Sequence, residues 1–385
     1  MINILYLHGN AELYGADVIL LEILKGLDRS KYNPYVILPN NGPLVDEIKK
    51  LNIEVEIFDY PILRRQYFTP PGIIKYMKGY LATAKYLKAY CLERNINIVH
   101  SNTIAVLEGI ILKKKLNIKH IWHLHEMLDK PKLIYDVLSV LIARYSDHIV
   151  TVSESVKKHW LRSGRFKEEQ FKIIYNGIDN DRFNESNETG YLREEFSVKE
   201  NDIIVGMAAR VNAIKGQEVF IDAMEQVMEK RKAVKAMLIG GAFAGQEWRL
   251  KALEDRINSG KHRENFILRD FRQDVQNLHC LFDIFALPSI ANDSFPTAVL
   301  EAMASGKPVV AFRNGGVVEM IQEGENGLFA EFGDAKSLAE KTLKLVEDKE
   351  LREKMGKNNS IRQRQYFSKE NFVQSFNKFY SEINV

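Results

Sequence analysis

Asp293 and Glu301 stand eight positions apart, around the run Ser294-Phe295-Pro296-Thr297-Ala298. Proline suits the first position of a helix, where its missing N–H would be unpaired in any case. A helix that starts at Pro296 aims the amides of Thr297 and Ala298 out of its positive end, a site for an anion such as phosphate. One acid in the loop before that end, and a second a little over one turn inside, can address two ends of a nucleotide-linked ligand. The same spacing also fits a loop acid that caps the helix and a surface glutamate. Arg210 and Lys215 lie between Gly206 and Gly216. A forked guanidinium with an ammonium clamps phosphate, although two basic loop residues taken alone equally suit exposure to water. Tyr14-Gly15-Ala16-Asp17 follows an apolar run and opens a helical pattern. A glycine there lets backbone come close to a phosphate or a sugar. No Gly-x-Gly-x-x-Gly follows that run, which counts against an NAD site. His123 and His125 share one face of a strand, with His120 nearby, yet no cysteine or carboxylate completes a metal set.

These residues need a frame to hold them. Ile2–Leu7, Tyr35–Leu38, Val55–Phe58, Ile98–His100, Ile121–His125 and Ile149–Val152 read as short strands, with helices between them, such as Leu44–Leu51. Asn184–Asn201 holds Asn-Glu-Ser-Asn-Glu-Thr-Gly and no long apolar period, so it reads as a linker. A second series follows. Ile203–Met207, Val234–Ile239, Phe266–Leu268, Ile284–Leu287 and Pro308–Ala311 are its strands. Val219–Met228, Trp248–Ile257, Ala298–Ala304 and Leu338–Val346 are its helices. Alternation of this kind implies an α/β protein with parallel sheets covered on both faces. Two such halves suggest two Rossmann-like domains facing a cleft, with ligands beyond the carboxyl ends of the strands.

The bulk properties narrow the class. A chain of 385 residues, 45% hydrophobic and 27% charged, fits a folded globular protein of two domains. Cys91 and Cys280 lie too far apart in sequence for a disulfide framework, which points to a reducing, cytosolic compartment. The start, Met1 to Gly9, has no basic region or cleavage site of a secretory signal, and no apolar run reaches the length of a membrane span. The net charge is +3, but residues 64–94 alone hold Arg64, Arg65, Lys75, Lys78, Lys85, Lys88 and Arg94 against Glu93. That stretch suits an anionic partner such as a membrane face, or else a solvated helix face. Tyr76, Gly79, Tyr80, Thr83 and Leu87 fall between its lysines, so the helix is expected to carry a basic and an aromatic face.

The run Ser289 to Pro308 resembles the Glu-x7-Glu region of the retaining glycosyltransferases of family 4 (glycosyl transferases group 1), which have the two-domain GT-B fold. Pro308-Val309-Val310-Ala311, Gly315-Gly316, Glu319 and Gly327-Leu328 fit the same pattern. So do Tyr175-Asn176-Gly177-Ile178-Asp179 and Phe183, which in the family end the first domain. The Gly15 loop is similar to the family's Gly-Gly-Ala-Glu, with Tyr14 in place of one glycine. One departure stands out: Asp293 occupies a position that is usually Glu, one bond or about 1.5 Å shorter. It bears on the donor-sugar contact and not on the fold.

The resemblance implies roles position by position. Glu301 accepts from the ribose hydroxyls, Asp293 and His125 stand by the donor sugar, and Arg210 and Lys215 grip the departing diphosphate. Phe295, Thr297 and Ala298 present backbone to that diphosphate. Gly15 and Ala16 approach the donor from the first domain, and Phe271 lies near the base, although plain core packing suits Phe271 equally. The family needs no cofactor and no metal; its co-substrate is a nucleotide diphosphate sugar, UDP- or GDP-linked. The literal Asp179-Asn180-Asp181 matches a metal motif of another glycosyltransferase fold, but here it sits inside a turn. Residues 1–185 would form the acceptor-side domain and 186–365 the nucleotide-sugar domain, with a helix in 366–385 returning to the first.

The function implied is transfer of a sugar, with retention, to a glycan or lipid-linked acceptor in cell-surface polysaccharide or glycolipid synthesis. The location implied is cytoplasmic, peripheral at the inner membrane face through residues 64–94, with no nucleic-acid partner. A nucleotide-sugar epimerase, a sugar-phosphate phosphorylase and a non-catalytic nucleotide-sugar-binding subunit are the alternatives on the same fold.

Overall fold

The computed structural model describes residues 1–243 and 245–384. They form two compact units, one of Met1–Asn176 with the C-terminal residues from Glu370, the other of Gly177–Lys369.

In the first unit, seven strands make one sheet: β1 (Ile2–Leu7), β2 (Tyr32–Leu38), β3 (Glu54–Ile57), β4 (Ile98–Ser101), β5 (Lys119–Leu124), β6 (His148–Thr151) and β7 (Phe171–Ile173). Their order is β3-β2-β1-β4-β5-β6-β7, with every neighbouring pair parallel. Central strands of such a sheet are covered on both faces, so they read as unbroken apolar runs. Leu5, Tyr6 and Leu7 of β1 are all fully buried. One core layer gathers Ile4, Ile19, Leu20 and Val36 with Phe372, Phe376, Phe379 and Tyr380 of the C-terminal helix Lys369–Ser381. The other gathers Leu5, Leu7, Leu87, Val99 and Val106. Strand β7 escapes the sequence pattern because it is three residues long, with a lysine at its centre and no fully buried position.

The second unit holds β8 (Ile203–Ala208), β9 (Val234–Ile239), β10 (Phe266–Arg269), β11 (Ile284–Leu287), β12 (Val309–Phe312) and β13 (Gly327–Ala330), in the parallel order β10-β9-β8-β11-β12-β13. Both sheets reverse their winding once, at β1/β4 and at β8/β11. At such a switch point the loops leaving two adjacent strands diverge and leave a crevice for a ligand.

One expectation changes. Asn184–Asn201 is not a bare linker, because it contains the helix Gly190–Glu195, with Leu192 and Phe196 buried in the second unit. The chain instead changes units at Asn176/Gly177. The helix Pro70–Glu93 carries a basic and an aromatic side, as its spacing predicts. Its aromatic side faces inward: Tyr76, Thr83 and Leu87 are buried, and Tyr80 Oη donates to the Leu107 carbonyl at 3.1 Å. Aromatic rings bury the most apolar area, so they take the sheet-facing side. What remains outside is aliphatic, with Ile73, Ile74, Met77 and Leu81 at 53%, 58%, 45% and 64% exposure among the exposed lysines. Among the described residues no helix is long and apolar enough to cross a membrane.

Candidate active site

Most candidate residues of the second unit lie on or just after the two loops at its switch point. Arg210 and Lys215 follow β8, and the stretch from Ser289 to Thr297 follows β11. Ile290 N donates to Ile214 O at 2.8 Å and ties the loops together. Asn212 Oδ1 accepts from the amides of Ile214 and Lys215 at 2.9 and 3.2 Å, a local turn that sets the direction of the lysine. Lys215 Nζ lies 2.5 Å from Asp293 Oδ2, and Ser289 Oγ donates to the same oxygen at 3.2 Å. Expected on separate tasks, the lysine and the acid are instead one ion pair, both largely buried. An ammonium has three protons, so Lys215 can hold Asp293 and still face a phosphate. The Arg210 guanidinium lies 4.1 Å from the centre of the Phe243 ring, and Gln217 Nε2 donates to the Arg210 carbonyl at 2.9 Å.

The helix after this loop spans Thr297–Ala304, with Pro296 as its N-cap rather than its first residue. Thr297 and Ala298 therefore hold the first two helical positions, whose amides have no acceptor inside the helix. Phe295 turns its ring inward against Phe367, 5.6 Å between centroids, so only its backbone is available to a ligand. Beneath the loop, Gly316 N donates to Asp293 O at 2.8 Å, and Gly315 has φ +65. A Cβ on Gly315 would overlap the Asp293 carbonyl oxygen, so glycine there is what lets the acid's backbone settle.

One turn into the helix, Glu301 Oε2 lies 3.1 Å from Nε2 of His279. The contact lacks hydrogen-bond geometry, and among the described residues neither ring nitrogen of the fully buried His279 has a hydrogen-bond partner. Phe183, Phe282 and Phe285 surround that imidazole at 6.0, 5.5 and 5.2 Å. Phe271 is 66% exposed in the loop after β10, which removes the core-packing alternative for it. Asp179 is engaged by Lys369 at 3.0 Å and by the amide of Asp181 at 2.9 Å, so the Asp-x-Asp closes a turn.

In the first unit, Gly15 and Ala16 open the helix Gly15–Gly26 behind β1. A Cβ on Gly15 would meet nothing within 4 Å, so the fold itself makes no demand for glycine there. His125 follows β5, and its Nε2 sits 2.9 Å from Asn102 Oδ1. Burial, with His8 adding to it, pushes the His125 imidazole down to about 3. His123 lies beside it, 4.0 Å between ring centroids, fully buried with neither nitrogen hydrogen-bonded among the described residues. His120 is committed elsewhere, to Ser101 Oγ at 2.9 Å and the Tyr145 carbonyl at 2.8 Å. The three histidines therefore do not converge.

Two family models match the chain one after the other: "Glycosyltransferase Family 4" over residues 14–182 and "Glycosyl transferases group 1" over residues 190–362. The chain belongs to the family 4 glycosyltransferases. This glycosyltransferase is 27% identical to the N,N'-diacetylbacillosaminyl-diphospho-undecaprenol alpha-1,3-N-acetylgalactosaminyltransferase of Campylobacter jejuni, over 98% of its own length and 97% of that protein's. It is 23% identical to an Escherichia coli UDP-Gal:alpha-D-GlcNAc-diphosphoundecaprenol alpha-1,3-galactosyltransferase, covering 87% and 88%. Among solved structures, Anabaena HepE in complex with UDP and glucose is 25% identical, with a TM-score of 0.82 and full coverage of both chains. The fold is therefore GT-B.

Three features of this family 4 glycosyltransferase are invisible to sequence reasoning. They are the Lys215–Asp293 pair, His279 beneath Glu301, and Asn102 beside His125. In the sequence His279 is a single histidine among the apolar residues Leu278, Leu281 and Phe282, a setting that ordinarily means core.

Proposed function

We propose that this glycosyltransferase moves a sugar, with retention of anomeric configuration, from a nucleoside diphosphate sugar to an acceptor hydroxyl in cell-surface polysaccharide or glycolipid synthesis. The observation that carries the reading is the cluster at the β8/β11 switch point. There the Lys215 ammonium, paired to Asp293, shares one pair of loops with Arg210 and the open start of the Thr297 helix. Negative charge grows on the leaving diphosphate as the glycosidic bond breaks, and fixed cations and amides stabilise it. Asp293 and His125 orient the sugar, and the exposed Phe271 ring serves the base. HepE, crystallised with UDP and glucose, favours a uridine donor. The two relatives named for diphosphoundecaprenol acceptors favour a lipid-linked acceptor. The deciding experiment is transfer from a panel of UDP- and GDP-sugars to lipid-diphosphate sugars, with the product anomer read by proton NMR. Inversion would overturn the mechanism, and epimerised donor without transfer would overturn the reaction class.

Glu301→Ala is expected to weaken nucleoside diphosphate binding at least tenfold by calorimetric titration, since losing a charged hydrogen-bond partner costs about 1.5–3 kcal/mol. Unchanged affinity would remove Glu301 from the ribose. Gly15→Ala separates fold from ligand. With open space around it, the alanine should leave stability unchanged or raise it by about 0.4–1 kcal/mol. Donor affinity should nonetheless fall severalfold, because the methyl group stands where a phosphate or sugar meets the backbone. Full retention of affinity would exclude that approach.

The basic helix supports a peripheral membrane contact. Its exposed aliphatic stripe, flanked by Lys75, Lys78, Lys85 and Lys88, is the pattern of an interfacial helix. Helix Lys132–Tyr145, with Leu133 and Val137 also exposed, lies beyond the helix Glu108–Leu116 that packs against both. Each lysine near an anionic leaflet contributes about 1 kcal/mol, less as salt rises. Sedimentation with anionic vesicles should therefore fall with salt, with Lys75 and Lys78→Glu, and independently with Leu81→Glu. Negligible binding throughout would leave the face merely solvated.

A further inference from the structure

We infer that Asp17, His8 and Asn102 form a positioning relay that holds His125 as its Nε2–H tautomer, so that His125 presents Nδ1 to its ligand as a hydrogen-bond acceptor. The inference rests on the proposed placement of His125 at the donor sugar.

The four residues come from three neighbouring strand ends of the first sheet. His8 follows β1, Asp17 lies in the first turn of the helix behind it, Asn102 follows β4, and His125 follows β5. Asp17, His8 and Asn102 are 4%, 2% and 0% exposed, so water does not compete for their bonds. Asp17 Oδ1 lies 2.6 Å from His8 Nε2, while Asp17 Oδ2 accepts from the Tyr14 amide at 2.9 Å. A carboxylate only accepts, so His8 Nε2 carries the proton. On the other side of that ring, His8 Nδ1 is 3.0 Å from Asn102 Nδ2.

The Ala16 carbonyl settles which way the asparagine amide faces. Asn102 Nδ2 lies 3.2 Å from Ala16 O, and a carbonyl oxygen can only accept. The NH2 group must therefore be on that side, which turns Oδ1 toward His125. Oδ1 is likewise acceptor-only and lies 2.9 Å from His125 Nε2, so His125 must donate from Nε2. This holds whether His8 Nδ1 accepts from Asn102 Nδ2 or, in a charged His8, donates to the Asn102 carbonyl at 3.1 Å. His125 Nδ1 has no hydrogen-bond partner among the described residues, and its lone pair selects a hydroxyl that donates.

Long-range proton–nitrogen NMR of histidine-labelled protein, without donor, tests the relay directly. The expected spectrum assigns His125 and His8 as Nε2–H. Asn102→Ala should give His125 mixed tautomers, whereas Asn102→Asp, which keeps an acceptor oxygen, should restore Nε2–H. An Nδ1–H His125 in the wild type, or an unmoved tautomer in Asn102→Ala, would overturn the relay. Kinetics then test the reading beneath it. Asn102→Ala should lower turnover at least tenfold, with UDP affinity unchanged within twofold. A shifted tautomer with full turnover would uphold the relay and remove His125 from the sugar.

Discussion

Lys215→Ala is expected to lower turnover by about two to three orders of magnitude, the usual loss on removing one preorganised group that meets transition-state charge. Donor affinity should fall by no more than about tenfold, because the charge the lysine meets is larger in the transition state than in the bound donor. The structure adds a second component. Lys215 is the cation on Asp293, at 2.5 Å, and the acid is only 13% exposed. Removing the lysine leaves a largely buried carboxylate unpaired, facing a ligand that is itself anionic. Lys215→Ala should therefore be more damaging than loss of a phosphate contact alone, and adding Asp293→Asn should recover part of the lost affinity. Stopped-flow single-turnover rates, set against calorimetric donor affinity, read the two effects separately. A raised Michaelis constant with turnover unchanged would make Lys215 a ground-state binder.

The second large effect is on stability. The first unit buries four imidazoles whose charged forms are strongly disfavoured. Burial pushes His100 and His125 down to about 3 and His120 to about 4, and holds His123 well below its usual range. In the unfolded chain each would take a proton near the ordinary histidine value of about 6.5. Below that pH the unfolded state binds more protons, so stability falls as pH falls, by roughly 1.4 kcal/mol per pH unit per group. Glu108 and Glu126 oppose this. Burial raises both, and Glu108, pushed up to about 8, holds a proton in the fold that the unfolded chain has released. Four strongly depressed imidazoles thus stand against one carboxyl. Glu126 offsets a further part, and His148 and His159, also pushed down by burial, add to the loss. The net loss is about 3–4 kcal/mol per pH unit from about pH 6.5 down to 4.5. Over two pH units that removes about 6–8 kcal/mol, a large share of a typical domain stability of about 5–15 kcal/mol. Calorimetry from pH 7.5 to 4.5 should show its transition falling steeply. His123→Leu, which removes an unbonded imidazole, should make the descent shallower. A transition temperature flat down to pH 5 would contradict the account.

Much of the frame is legible in the residues themselves. The apolar runs that became β1, β8, β9 and β11 are short, nearly unbroken and bounded by polar or glycine-rich loops, and burial on both faces of a parallel sheet requires that pattern. The helix beginning beside Pro296, and the loop acid before it, follow from proline chemistry over a handful of neighbours. All of this is local: it depends on residues within a turn or a strand length of one another. The outward face of the helix Pro70–Glu93 was not local, since its lysines and aromatics alternate too closely to tell which side meets the sheet. Nor was the return of the C-terminal helix, which only the family resemblance implied: Phe372, Phe376 and Tyr380 by themselves could have sought any apolar layer.

What the tertiary structure alone decided is the chemistry of pairs. Lys215 and Asp293 are 78 residues apart, and His125 and Asn102 are 23 apart. Each pair meets because β8 lies beside β11, or β5 beside β4, so that loops from distant parts of the chain leave adjacent strand ends. Strand order is set by the sum of packing over a whole sheet, and no single residue carries it. The types of the reactive side chains were therefore written in the sequence. Which of them neutralise, orient or cap one another depended on the folded sheet.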